Sequence, residues 1–471
     1  MTAGTYAQTP QSSVASQGSI ELLHADSLVG TTNTKTGLVR HYNGNVSFRH
    51  NDASVTCRNA FHNISEDLID LSGHVTILQR GVLLSSEKMN YNGRTKIAAS
   101  TVPITIKDGS QLLKAKRGTY STQTHIANFA GDVFISDGKI VLTSDSAEQN
   151  RRTNYSHAFG NVFVKNGDTN SLFADDIEYF AASSIIRASG SVLATDITKA
   201  ALIVADTIED FKDRHYINAR GNSVLFKIDT LKQDSIICRT SDFSVDTLTP
   251  AVYDTFSIKS RTMELITLND STSYIFHGKA EIDHSSFDAI ADSVSYLQER
   301  ELIFLNGNPV IWSDSLQLSA DTINIVLDSN KVKQIIAAGN AFMLIKNDTL
   351  SPERRNQLFG NNMVIDFVNG KINLVTASGN AQSLIFIDTE KGNDGATTSS
   401  ADTIQITFSG SDPENFIATG GIIGEVIPEK DISDNCKQYY LPSYIERTDK
   451  PTNQKPKLKE ISARQNLAES N

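Results

Sequence analysis

The sequence predicts an all-β protein made of repeated antiparallel hairpins, and three observations predict it. A glycine-centred element recurs about every 29 residues along most of the 471-residue chain. A second element, such as "SADTINI" at 319–325, lies between successive glycines. No stretch shows the 3.6-residue periodicity of an amphipathic helix. We therefore expect an elongated array in which stacking, and not any single hairpin, buries the apolar face.

The first element is a glycine followed two or three residues later by a small apolar residue. Its copies stand at Gly44, Gly73, Gly131, Gly160, Gly190, Gly221, Gly278, Gly307, Gly339 and Gly379. Two intervals are twice the usual length, which predicts degenerate copies near Ser100 and Pro250 and an array of about twelve units. The glycine is expected to mark a bulge or sharp bend where each strand folds over the core.

The second element begins with an aspartate and continues as a strand. Asp321, Ile323 and Ile325 stand two residues apart, which is the period of a half-buried strand. The recurring aspartates are expected to cap or kink the strand at the bend, because calcium-binding β-rolls need closely spaced Gly/Asp nonapeptides that are absent here. These aspartates are Asp26, Asp175, Asp206, Asp292, Asp321 and Asp402. Short polar turns such as Asn166-Gly167 join the two strands of a hairpin.

Composition argues against several classes of function. The net charge of −11 disfavours a nucleic-acid partner, which generally needs a basic surface. The 3 cysteines lie far apart without zinc-site spacing. No apolar run is long enough for a transmembrane helix, so a soluble protein is expected. The histidines are scattered and no nucleophile, phosphate-loop or dinucleotide motif occurs, so we expect neither an enzyme nor a cofactor or metal site.

Four segments are expected along the chain. Residues 1–19 form a polar N-terminal tail, interpreted equally well as disordered or as the end of a secretion signal. Repeats occupy 20–245 and 246–427, either as one continuous array or as two modules. Residues 428–471 form a polar C-terminal tail in which Tyr439 and Tyr440 are expected to pack onto the last strand.

Two stretches carry a resemblance to a known family: "LFADDIEYFAASSIIRASGSV" at 172–192 and "LSADTINIVLDSNKVKQIIAAGNA" at 318–341. The pattern, in register over roughly residues 20–425, resembles the OstA-like family. That family includes the lipopolysaccharide-transport bridge proteins and the N-terminal domain of the outer-membrane lipopolysaccharide assembly protein. The resemblance implies a β-taco, or β-jellyroll, in which antiparallel strands bend into a V-shaped trough. Its edges stay open, and modules join end to end.

The resemblance also implies a function and a location. In this family the apolar trough shelters lipid A acyl chains while lipopolysaccharide crosses the periplasm. The implied partners are lipopolysaccharide, other bridge modules and the outer-membrane assembly protein. The implied location is the periplasm, with outer-membrane association as a further option. No catalytic group is needed for this function, because each acyl methylene removed from water contributes on the order of 0.8 kcal/mol to the free energy of binding.

Strand parity predicts which side chains would line such a groove. The candidates stand at alternate positions after a bend glycine or a repeat aspartate, on the strand face that is predicted to point inward. They are Val46, Phe48, Val75, Ile77, Val133, Ile135, Val162, Val164, Ile177, Tyr179, Val192, Ile208, Val294, Ile323 and Ile325. Two other functions remain open. One is a structural β-solenoid that binds protein partners through open sheet edges, and the other is a carbohydrate-binding β-helix, which the hairpin turns disfavour.

Overall fold

The computed structural model describes residues 21–33, 37–50, 52–196, 198–227, 256–269, 271–313, 316–346, 353–389, 392–409, 412–432 and 435–451. Every strand pairing in these ranges is antiparallel, which confirms the predicted all-β fold class. The chain divides into unit 1, Met1–Asp168 with Asp175–Ser183, and unit 2, Thr169–Ala174 with Ser184–Asn471. No helix in the described ranges is long and apolar enough to cross a membrane.

Unit 1 is a meander of strands. They are β1 (Glu21–His24), β2 (Ser27–Asn33), β3 (Gly37–His50), β4 (Ala53–Asn63), β5 (Leu68–Gln79), β6 (Val82–Asn92), β7 (Ile97–Ser100), β8 (Ile104–Asp108), β9 (Gln111–Ala115), β10 (Arg117–Ser121), β11 (Ile126–Ser136), β12 (Ile140–Asn150) and β13 (Tyr155–Asn166). Strand β14 (Asn170–Phe180) contributes residues to both units.

Unit 2 continues the same pattern. Its strands are β15 (Ile185–Asp196), β16 (Ala201–Phe211), β17 (Tyr216–Lys227), β18 (Phe256–Leu268), β19 (Ser271–His284), β20 (Phe287–Leu297), β21 (Leu302–Asn306), β22 (Val310–Trp312), β23 (Leu316–Ser319), β24 (Thr322–Asp328), β25 (Lys331–Lys346), β26 (Arg355–Val368), β27 (Lys371–Thr389), β28 (Gly392–Ser409), β29 (Asp412–Thr419) and β30 (Ile423–Pro428). A short helix, α1 (Glu429–Ile432), follows.

Each long strand folds back on itself at a corner. In β3 the rings of Tyr42 and Phe48, on either side of Gly44, lie 5.2 Å apart in an edge-to-face contact. Six residues of straight strand would separate them by roughly 20 Å. The two arms of the strand therefore face each other. In unit 1 the strand halves on each side of the corner pair side by side and form a wall. We call wall A the wall that contains residues 37–43 of β3, and wall B the wall that contains residues 46–50.

The walls of unit 2 are defined in the same way. Wall A contains the arms joined to 185–189 of β15, and wall B those joined to 192–196. Some strands are interrupted at the corner, so that one bent strand is divided into two short ones. Strands β21 and β24 lie in wall A, whereas β22 and β23 lie in wall B.

A glycine of one strand and an aspartate of its neighbour build the corner together. Gly160 and Asn161 both have left-handed backbone conformations, and the ladder shifts register beside them. A Cβ on Gly160 would lie 2.5 Å from Asp145 Oδ2, and Asn161 Nδ2 donates to that same oxygen at 2.9 Å. The same trio recurs at Asp26/Gly44/Asn45, Asp206/Gly221/Asn222, Asp292/Gly307/Asn308 and Asp321/Gly339/Asn340. The expected roles of both repeat elements are thus confirmed.

The degenerate copy expected near Ser100 is present as a corner without glycine. Ser100 Oγ donates to Lys88 O at 2.8 Å and lies 3.0 Å from Ser86 Oγ. Strand β7 ends there and β8 begins at Ile104. The second expected degenerate copy, at Pro250, lies outside the described residues. So do the 245–246 boundary and the 1–19 tail.

Replacing Gly160 by alanine is expected to destabilise unit 1 more than replacing Gly167. Both glycines have positive φ, so each alanine meets the same left-handed strain of about 1–2 kcal/mol. Only at Gly160 would the new Cβ also collide with Asp145, which adds about 2 kcal/mol. Urea unfolding followed by circular dichroism measures the difference. Equal midpoints for the two variants would contradict this role of the corner.

The last described residues, 435–451, form what we call the C-terminal strap. The strap crosses the outer face of wall B in unit 2. Gln317 donates through Nε2 to Ile445 O at 2.8 Å and accepts from Arg447 N at 2.7 Å, while Leu441 N donates to Gln357 Oε1 at 2.9 Å. Apolar strap residues join a cluster with the outward-facing side chains of wall B; the buried members of this cluster are Phe342, Leu344, Leu384, Phe386, Ala396, Ile427, Ile432, Cys436 and Leu441. Tyr439 and Tyr440, expected to pack onto the last strand, lie at its border.

Candidate functional site

A continuous row of apolar side chains follows wall B of unit 1 on its inner face. Each member lies directly across the ladder from the next. We call this row the wall B stripe: Phe48, Val55, Ile77, Leu84, Ile106, Leu113, Ile135, Leu142 and Val164. Because neighbouring strands are about 4.8 Å apart, the stripe is roughly 40 Å long. No residue in it differs much in chemistry from its neighbours.

Most of the stripe is half-buried. Only Phe48 and Leu113 are fully buried, and the others keep part of their surface exposed. Below the stripe, the residues next to the corners are buried and form a floor: Val46, Cys57, Val75, Ser86, Ile104, Ala115, Val133, Ser144 and Val162. The stripe is thus a partly exposed apolar row above a closed floor.

The row that faces the stripe from wall A is small or polar along much of its length. Its members, in ladder order, are Arg40, His62, Ile69, Tyr91, Ala98, Tyr120, Ala127, Gln149 and Ser156. Burial lowers the pKa of His62, with an opposing contribution from Asp67, so its imidazole is neutral at pH 7. Side chains such as Ala98 and Ser156 are too short to cover the stripe.

Unit 2 carries an equivalent row on wall B, and there the row is sealed. Its members are all buried: Ile203, Leu225, Ile258, Ile282, Ala289, Ile311, Leu318, Met343 and Leu358. The facing row of wall A is large and apolar: Leu265, Tyr274, Tyr296, Ile303, Ile325, Ile335, Ile365, Val375 and Ile406. The rings of Phe256 on wall B and Tyr296 on wall A meet at 5.3 Å. The expected open trough is therefore closed in unit 2.

The predicted groove residues separate into groups. Val46, Val75, Val133 and Val162 lie in the floor of unit 1, and Phe48, Ile77, Ile135 and Val164 lie in its stripe. Ile177 is buried in unit 1, whereas Val192, Ile208, Val294, Ile323 and Ile325 are buried in unit 2.

Tyr179, the remaining predicted residue, is 41% exposed. In β14 the buried positions Ala174 and Ile177 are three residues apart because the alternation is interrupted between them, and Tyr179 follows Ile177 with the ordinary two-residue period.

Sequence parity missed the members of the stripe that belong to strands without a bend glycine. Val55, Leu84, Ile106, Leu113 and Leu142 lie on these strands. Only the cross-strand register places them beside Ile77 and Ile135. Their period-2 apolar alternation was the available signal, but it does not reveal which strand is the neighbour.

A shallow depression of about 660 Å³ lies on the opposite, outer face of unit 1. It is lined by polar groups and by Phe159, and His157 Nε2 lies 2.7 Å from Asp176 Oδ1 within it. Because Ala158 points into the unit, its neighbours His157 and Phe159 point away from the trough. The depression is therefore separate from the stripe.

Lys227 lies at the outer end of wall B in unit 2 and is 7% exposed. Burial lowers the pKa of its amine to about 8, opposed by Asp196 and Glu299 and aided by Lys199. In an unfolded chain lysine titrates near 10.4. Between these two values the unfolded state binds more protons than the folded state, so the free energy of unfolding increases as pH rises.

The unfolding free energy of unit 2 is therefore expected to rise from pH 8 to pH 10 by at most about 1.4 kcal/mol per pH unit. The Lys227→Met variant should lack this contribution, and subtracting its values cancels the other titrating groups. Urea unfolding followed by the fluorescence of Trp312, the only tryptophan in the sequence, measures it. If the unfolding free energies of the two proteins change with pH in the same way, the pH dependence does not come from Lys227.

Comparison with known proteins adds one family match. The sequence model of the OstA-like protein family matches residues 17–130 and 121–211. A solved structure similar to part of this chain is LptH of Pseudomonas aeruginosa, described as the LptA-homologous periplasmic component of a lipopolysaccharide transport device. It has 14% identity and a TM-score of 0.25, and the match covers 30% of this chain and 95% of LptH. No curated protein matches the chain. Residues 17–211, the part of the chain that contains the whole wall B stripe, are therefore similar in sequence to the OstA-like protein family.

Proposed function

We propose that this protein is a non-enzymatic periplasmic carrier of lipopolysaccharide that holds lipid A acyl chains against the wall B stripe of unit 1. The observation that supports the proposal is the stripe itself, a partly exposed apolar row roughly 40 Å long above a closed floor. Contiguous exposed apolar surface of this kind marks interaction sites in soluble proteins. The similarity of its members would let an acyl chain move along the row without meeting one dominant site.

The energetics favour contact through the acyl chains and not through the head group. Sheltering five methylenes would contribute about 4 kcal/mol at about 0.8 kcal/mol each. A surface ion pair contributes only about 0–1 kcal/mol. A protein with a net charge of −11 can therefore carry an anionic glycolipid if the phosphates and sugars face solvent.

The proposed partners are further trough-forming modules, including the outer-membrane assembly protein, added end to end. Among the described residues, β2 pairs only with β3, and β30 pairs only with β28. Their exposed apolar side chains include Leu28 and Val29 on β2 and Val426 on β30. A strand at the edge of a sheet has one unpaired side, and another strand can join it there by main-chain hydrogen bonding.

Site-specific photocrosslinking tests the proposed cargo. A benzophenone amino acid at Ile135 is expected to crosslink purified lipopolysaccharide, because this side chain belongs to the stripe. The same group at Phe134, the adjacent residue on the opposite face, should crosslink at least tenfold less. Equal yields at the two positions, or higher yield at Phe134, would rule out the stripe as the binding surface.

A second candidate function is a scaffold that binds protein partners through its sheet edges, favoured by the same exposed residues on β2 and β30. It predicts protein crosslinks at Val29 without lipopolysaccharide crosslinks at Ile135. The third alternative, a parallel β-helix that binds carbohydrate, is contradicted by the antiparallel pairing throughout the described strands.

A further inference from the structure

Side-chain hydrogen bonds cross the mouth of unit 2, where its two walls meet. Lys227 Nζ donates to Gln298 Oε1 at 3.0 Å. Lys199 Nζ donates to Thr272 Oγ1 at 3.0 Å. Lys227 also donates to the carbonyl oxygen of Lys199, so the two lysines are linked to each other. In the bonds to Gln298 and Thr272, the lysine lies at the end of wall B and its partner at the end of wall A.

His284 makes a third bond of the same kind. Its Nε2 donates to the carbonyl oxygen of Asn330 at 2.9 Å, and its Nδ1 accepts from Ser286 N at 3.1 Å. His284 ends β19 in wall B, whereas Asn330 lies in the turn between β24 and β25 at the end of wall A. The three bonds join residues 73, 71 and 46 positions apart in the sequence.

No backbone pairing in the described part of unit 2 joins wall A to wall B across the mouth. The ladders run along each wall, for example from Tyr274 to Tyr296 in wall A and from Ile282 to Ala289 in wall B. Separating the walls at the mouth would therefore break side-chain contacts and leave both ladders intact.

We propose that these three hydrogen bonds form a mouth latch that keeps unit 2 closed, and that unit 2 takes up an acyl chain only when the latch is released. This proposal rests on the proposed function, because the ligand is of the same class. The wall B row that opening would expose has the composition of the stripe in unit 1. An acyl chain could cover that row, and so replace the contact it now makes with wall A.

The chemistry of the latch favours a reversible closure. Apolar side chains at the mouth would close it without any buried charge, whereas a buried ammonium group is costly unless it is hydrogen-bonded. Each of these hydrogen bonds makes only a modest net contribution to stability, because it replaces a hydrogen bond with water. Removing one set of donors should therefore shift the balance toward the open state without unfolding the walls.

The first experiment measures opening without any lipid. The Lys199→Ala/Lys227→Ala double variant removes both ammonium donors without placing long apolar side chains at the mouth. Lys331→Ala/Lys333→Ala is its control, because these two lysines of unit 2 are exposed. Hydrogen peroxide should oxidise Met343, a buried member of the wall B row, at least tenfold faster in the latch variant and at an unchanged rate in the control. An unchanged oxidation rate in the latch variant would overturn the proposal, as would equally fast oxidation in the control.

The second experiment measures binding of a fluorescent dodecanoate. A Leu142→Asn background weakens the stripe of unit 1, so that the remaining binding reports on unit 2. In that background the latch variant should bind the probe at least tenfold more tightly than the lysine control. Faster oxidation of Met343 without tighter binding would show that unit 2 opens but takes no acyl chain, and would overturn the proposal. Failure of the intact stripe to bind the probe would count against the proposed function instead.

Discussion

Replacing Leu142 by aspartate is expected to reduce lipopolysaccharide binding at least tenfold. Leu142 lies within the wall B stripe, across the ladder from Ile135 and Val164, and is half-buried. A carboxylate there would have to give up water on contact with an acyl chain, at a cost of several kcal/mol. Each 1.4 kcal/mol lost corresponds to a tenfold change in affinity. The measurement is lipopolysaccharide affinity for the purified protein.

The adjacent residue gives a matched control. Thr143 follows Leu142 in β12 and points to the opposite face, so Thr143→Asp introduces the same charge on the same strand outside the trough. Its affinity should stay within twofold of the original protein. The uncharged Leu142→Asn variant keeps the side-chain size and should lose less affinity. If Thr143→Asp weakens binding as much as Leu142→Asp, the effect is not due to the stripe.

Removing the C-terminal strap is expected to destabilise unit 2 enough to cause aggregation. Ending the chain before residue 435 would expose the apolar outer face formed by Phe342, Leu384 and their neighbours. It would also leave the buried amides of Gln317 and Gln357 without their strap partners. Each orphaned buried group costs about 1–3 kcal/mol, and the newly exposed apolar face adds to this loss.

The control for this truncation is a chain that ends after residue 451, which retains the whole strap. Thermal unfolding followed by Trp312 fluorescence, together with size-exclusion chromatography, compares the two. A milder variant, Leu441→Ala, should lower the unfolding free energy of unit 2 by about 3 kcal/mol. A monomeric chain ending before residue 435 with an unchanged unfolding temperature would show that the strap contributes no stability.

The two repeat elements encode the corner locally, which is why it could be predicted. Glycine accepts the positive φ at Gly160 and leaves room for Asp145, and Asn161 holds that carboxylate. These requirements involve a few residues at constant spacing, so they appear in the sequence as a repeat. The alternation of Val162 and Val164 likewise follows from the two-residue period of any strand.

The strap could not be read from the sequence in the same way. Gln317 and Ile445 are 128 positions apart, and the residues of the strap show no periodicity that would predict their contact. Its placement depends on the apolar outer face of wall B, which exists only once Phe342 and Leu384 have been brought onto one surface. The local composition of the strap is that of a polar tail, so it does not indicate that these residues pack onto wall B.

The residues alone were enough to establish an antiparallel array bent at glycine corners with an apolar interior, because strand period, turn chemistry and corner sterics act over short distances. They could not establish which part of that interior is open. Ile135 and Ile325 satisfy the same alternation, yet one is half-exposed and the other fully buried. The difference comes from the facing wall, whose side chains are small or polar along much of unit 1 and leave the stripe partly exposed, whereas large apolar ones bury the equivalent row in unit 2. Facing residues are paired by packing between distant strands, and this pairing arises only in the folded chain.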